Sequence, residues 1–201
     1  MTKKAILAAG IAASVAAALV TAYLAPAEAQ LGEAAKLIYL HAGLVFVSLI
    51  LVTCVGILGL LYLVTDKKTL FDWAKPTKAV TLIFWFIYLS SSLVAMQLTW
   101  GGIMWGEPRL LLAASIFLVL TAIFLVSLTF HAPRIIASLN VLMGASVWLL
   151  LARVPAVMHP TSNPIRNSSS SFIKLDTLLI FLFFLAAAVL SIVLARSLIK
   201  D

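Results

Sequence analysis

"KLIYLHAGLVFVSLILVTCVGILGLLYLV", residues 36–64, carries a single charge, Lys36, at its first position. A helix rises about 1.5 Å per residue and the hydrocarbon core of a bilayer is about 30 Å thick, so a run of this length crosses the membrane with residues to spare. It is expected to tilt or to project on one side, with its first turn, Lys36 to His41, near the surface.

The chain on either side repeats the pattern. Apolar runs at 5–24, 79–98, 109–130, 134–152 and 172–195 are each long enough to span. With 64% hydrophobic and 10% charged residues, the chain has more apolar surface than a water-soluble domain hides inside itself. The expected fold is all-α: one polytopic membrane domain over residues 1–201, with six transmembrane helices and connections at 25–35, 99–108 and 153–171 on one side.

The first run needs its own reading. Lys3 and Lys4, an apolar stretch and then "APAEAQ" (25–30) resemble a secretory signal cleaved after Ala29. The stretch from Ala5 to Leu24 is nevertheless long for a signal and right for a span, so a retained first helix is expected. Cleavage would leave the other five helices oriented as before.

Orientation follows from the basic residues. Lys3, Lys4, Lys67, Lys68, Lys75, Lys78, Arg134, Arg196 and Lys200 fall on the side of the N-terminus, and Lys36, Arg109, Arg153, Arg166 and Lys174 on the other. Nine against five places both termini in the cytoplasm of a plasma or inner membrane protein. The segment "TDKKTLFDWAKPTK" (65–78) reads as a basic inner connection with Trp73 at the interface, and "NPIRNSSSS" (163–171) as a flexible outer one. The net charge of +7 is scattered at the ends of apolar runs, without aromatic interleaving, so it signals topology and not nucleic acid. Cys54 is the only cysteine, which excludes an intramolecular disulfide or a CxxC pair.

The unusual chemistry lies outside. "LTWGGIMWGEPRL" (98–110) crowds Trp100, Gly101, Gly102, Trp105, Gly106, Glu107 and Arg109 into one short connection, and two of the three histidines, His41 and His159, share its side. Two imidazoles flanking an aromatic shelf suit a planar macrocycle with a central metal and peripheral carboxylates, which is haem. Trp100 and Trp105 would stack on it, His41 and His159 would be axial ligands, and Arg109 would pair with a propionate. The glycines allow close backbone approach.

Plainer roles stand beside these. Tryptophans at helix ends serve as interfacial anchors, a lone histidine at the end of an apolar run is usually a packing residue, and Glu107 with Pro108 and Arg109 matches the start of a helix. His131, beside Pro133 in the tight inner turn "HAPR", reads as interfacial and not as a ligand.

The chain resembles the CcmC type of haem-handling membrane protein of cytochrome c maturation. That family carries a tryptophan-rich signature, broadly WGxWWxWDxRL, between its third and fourth helices. "WGGIMWGEPRL" matches its length without a gap and keeps Trp100, Gly101, an acid at Glu107, Arg109 and Leu110. His41, and His159 in "VMHPTSNPI", resemble the family's two outer histidines. Ile103, Met104 and Gly106 stand where the family has tryptophans, Trp105 is displaced by one residue, and Glu107 replaces aspartate.

The resemblance implies a protein that is not an enzyme. It implies haem b held transiently on the outer face and handed to a CcmE-like haem chaperone, with a CcmA and CcmB-like ABC transporter pair as further partners. Two other classes remain open: a cytochrome b-like or quinone-reactive membrane subunit, and a non-haem transporter or assembly subunit.

Overall fold

A computed structural model describes residues 2–130, 132–154 and 164–199. Seven helices follow one another: α1 (Lys3–Leu24), α2 (Ala35–Thr65), α3 (Lys68–Trp100), α4 (Pro108–Thr129), α5 (Pro133–Arg153), the single turn α6 (Pro164–Asn167) and α7 (Ser171–Ile199). All but α6 are long and apolar enough to cross a membrane, so the chain is a multi-pass, all-α membrane protein with six candidate spans. His131 and His159 lie outside the described residues.

The helix ends follow local rules. Thr2 Oγ1 accepts from Ala5 N at 3.3 Å and caps α1. Asp66, at φ 51°, ends α2, and Gly101, at φ 73°, ends α3; both adopt the left-handed conformation in which glycine is free and aspartate is tolerated. Pro108 and Pro133 open α4 and α5, where a missing N–H costs nothing. Within the spans, hydroxyls bond back to carbonyls one turn earlier, as Thr53 does to Leu49 at 2.7 Å and Thr121 to Phe117 at 2.8 Å. That supplies their partner where no water is present.

The helices are apolar all round because lipid replaces water: Phe46, Leu118 and Leu142 are exposed on the outside of the bundle. α2 is the centre, packing on α3, α5 and α7, while α1 lies mainly along α7. One buried cluster joins α1, α2 and α7 with Val80 and Phe84 of α3; a second joins α2, α3, α4 and α5 around Val52, Trp85, Ile116 and Leu120. Glycines set the α2–α5 approach: a Cβ on Gly56 would sit 3.1 Å from the Cα of Gly144, and one on Gly59 would sit 2.7 Å from the oxygen of Ala137.

Two departures from the sequence-based expectation matter. α3 begins at Lys68, so only Asp66 and Lys67 join it to α2, and most of the expected basic connection is helix running through the buried Pro76. Lys78, expected as a surface anchor, is 2% exposed. Alternation of the helices puts the ends of α2, α4 and α7 with the starts of α1, α3 and α5 on one face, here the terminal face; Arg134 pairs with Asp66 there at 3.0 Å, and the Arg196 guanidinium lies 3.6 Å over the Trp73 ring. The opposite face carries the connections after α1, α3 and α5.

Candidate functional site

His41 stands in the second turn of α2, half-buried, with Nδ1 2.9 Å from Ser91 Oγ on α3. Ser91 Oγ also lies 2.7 Å from the Tyr88 carbonyl, an acceptor for its hydroxyl hydrogen; with the hydroxyl donating there, its oxygen is left to accept from Nδ1–H of His41. In that arrangement the imidazole carries its proton on Nδ1 and its lone pair on Nε2, the form that ligates a metal. Tyr88 also lies against the His41 ring, tilted by 43°, with centroids 5.5 Å apart. Beneath it the Trp85 ring meets Tyr88 edge-on at 5.4 Å and anchors to α4 by donating Nε1–H to the Ala113 carbonyl at 3.0 Å.

That Trp85–Ala113 bond registers α3 against α4. Fifteen residues separate Trp85 from Trp100 and five separate Pro108 from Ala113. At 1.5 Å per residue α3 therefore rises about 15 Å beyond the start of α4. The connection of residues 101–107 descends along this overhang, and a turn from Glu107 N to Met104 O at 3.0 Å delivers it to α4. Six residues above Trp85, Ser91 and its partner His41 sit about 9 Å up the bundle, near the level of the first turn of α4. Arg109, in that turn, is exposed and close enough for its charge to act on the Tyr88 phenol.

The connection divides into open and closed parts. Trp100 is half-buried at the end of α3, whereas Trp105 is 67% exposed. A Cβ added at Gly101, Gly102 or Gly106 would meet nothing within 4 Å, so the space beside all three is open. Glu107 is the N-cap residue of α4, in line with the helix start read at Glu107, Pro108 and Arg109; it is 1% exposed, and an acid there is favoured by the helix dipole, with no side-chain bond to the helix's first N–H groups.

Beside His41, α1, α2, α3 and α7 border an open apolar groove of about 360 Å³ lined by Val15, Leu40, Leu44, Phe84 and Phe184, with Ser91 on its wall. Ser91 and Tyr88 are the residues missed from sequence. The polar signal was "YLSSS" (88–92), three serines in succession inside an apolar run.

The described residues fit haem at several points: an imidazole oriented by a hydroxyl at Nδ1, an exposed guanidinium at a similar depth, and open space beside three glycines and an exposed indole. His41 and the Arg109–Tyr88 corner come together; Trp105 and Glu107 do not share a surface. Comparison with protein-family models and with curated proteins gives no match to this chain.

Proposed function

We propose that the chain binds haem b on the face opposite its termini, with His41 and His159 as axial ligands, and passes it to an acceptor protein for cytochrome c maturation. The observation that carries this reading is the Ser91–His41 bond, which orients the ring and is compatible with the metal-ligating tautomer. Arg109 supplies a propionate partner, and Trp100 and Trp105 supply stacking surface on a connection open to the outside. A site at the end of a bundle suits transfer, since a ligand sealed between helices has no exit toward a second protein. The acceptor is a CcmE-like haem chaperone, and an ABC transporter pair of the CcmA and CcmB kind provides energy, in keeping with the resemblance. Both termini lie in the cytoplasm, following the basic residues.

An absorption spectrum of protein purified from haem-replete cells tests this beside His41→Ala and His159→Ala. A Soret band with six-coordinate, low-spin features that weakens in both variants supports the reading. Absence of a Soret band after haem addition sinks it.

The apolar groove against Ser91 favours a second reading, a quinone-reactive subunit with a hydrophobic tail beside His41. Quinone retained on purification, with no haem bound, distinguishes it.

A further inference from the structure

At the terminal face a second, larger cavity of about 680 Å³ opens between the end of α2, the starts of α3 and α5, and the end of α4. Its volume lies within the roughly 300–1,000 Å³ of ligand pockets. One wall is apolar, formed by Phe124, Leu128, Phe130 and Ile136, and the rim carries Asp66, Lys68, Asp72 and Lys75. Both acids are already matched: Asp72 pairs with Lys68 at 3.5 Å and Asp66 with Arg134 at 3.0 Å. Lys75 is the cation left over. Its ammonium lies 5.1 Å from the centre of the Phe71 ring, with no carboxylate partner among the described residues.

Behind this rim sits a buried pair of donors. Lys78, one turn beyond Lys75, is almost wholly enclosed, and its one hydrogen bond goes to Asn140 Oδ1 at a long 3.4 Å. The Nδ2 of Asn140 is itself buried with no acceptor among the described residues. Asn140 stands one turn beyond Ile136 on α5, and Ile136 lines the cavity, as does Ala79 beside Lys78. The ammonium groups of Lys75 and Lys78 act on each other electrostatically. An ionisable side chain inside a membrane bundle ordinarily meets a counter-charge. Here one cation without a carboxylate among the described residues, Lys75, stands at the rim, and the buried Lys78 ammonium and Asn140 N–H₂ lie about one helical turn further in, outside the cavity's own lining.

We propose that this cavity binds an anionic phospholipid, its phosphate held by Lys75 in front of the Lys78–Asn140 pair and its first acyl segments lying on the Phe124–Phe130 wall. The apolar wall is continuous with the lipid-facing side of α4, which selects a lipid over a free anion.

The test uses the full chain in detergent, exchanged into vesicles of phosphatidylglycerol and phosphatidylcholine mixed equally, with retained lipid counted by native mass spectrometry. Phosphatidylglycerol is expected at about fivefold excess. Lys75→Gln brings the ratio near one, and Lys78→Met lowers it, while Lys67→Gln, on the exposed turn outside the cavity, leaves it unchanged. An even ratio in the wild type overturns the proposal, as does an unchanged ratio in Lys75→Gln, which decides the matter if Lys78→Met fails to fold. An equal drop in Lys67→Gln reduces the preference to general surface attraction and also overturns it. Glycerol phosphate displacing the lipid at equal concentration shows a free-phosphate site, against the lipid assignment; failure to displace it supports the acyl contacts.

Discussion

α3 holds a polar contact toward each end, half-buried at one and buried at the other, and the two are built in opposite ways. Near the far end, Ser91 meets His41 in a chain of matched groups: imidazole Nδ1 to the hydroxyl, and the hydroxyl to the Tyr88 carbonyl. Near the terminal end, Lys78 meets Asn140 as a cation on a neutral amide, with donors in surplus. A completed chain orients a side chain, whereas a surplus of donors calls for something the protein does not supply. In a medium of low dielectric that surplus is expensive, so its persistence marks a different kind of site.

The sharpest break in the comparison would come at His41. His41→Ala is expected to lower haem retention by more than about 100-fold, beyond the loss typical of an outer-shell partner, measured by haem titration in detergent. An unchanged titration would leave the far end as packing alone. Gly59→Val follows, because its branched side chain meets the Ala137 carbonyl and Asn140 together. Thermal unfolding should show a loss of about 1–3 kcal/mol, or more if α5 cannot shift.

Ser91→Ala separates orientation from ligation. Haem affinity should fall roughly 10-fold with the fold intact, and Ser91→Thr should restore most of it. Lys78→Met sets the ends against each other: with no carboxylate beside it, removal of the charge should raise stability by about 1 kcal/mol in chemical denaturation. A fall of several kcal/mol would show that the cation has a compensating partner. The smallest effect is expected at the exposed Asp66–Arg134 pair, where Asp66→Asn keeps the left-handed turn and changes stability by less than about 1 kcal/mol.

Hydropathy alone made the six spans legible, because lipid requires unbroken apolar length and the helix needs no partner for its backbone. The run at 36–64 matches α2, Ala35–Thr65, within a residue at each end. The start of α3 was hidden, since charge and Pro76 in the segment before residue 79 imitate a connection, while burial of one face of Phe71, Ala74 and Lys78 keeps it helical. His41, Trp100, Trp105 and Arg109 stood out by residue type on one side of the membrane. Ser91 did not, because its significance lies in a contact across 50 residues of chain. Glu107 shows the limit of residue type: an acid before Pro108 announces the start of α4, but its burial to 1% exposure is set by packing that the local sequence does not display.

The turn that joins α2 to α3 is two residues long, Asp66 and Lys67. So short a tether has no slack. From His41 to Asp66 is 25 residues, about 38 Å of helix, and the Ser91 contact couples the same two rods at the other end. A piston-like slide of α2 past α3 by a single residue's rise would have to break one coupling or unwind the other. A two-residue tether at one end and a side-chain contact toward the other therefore hold α2 and α3 in a single register.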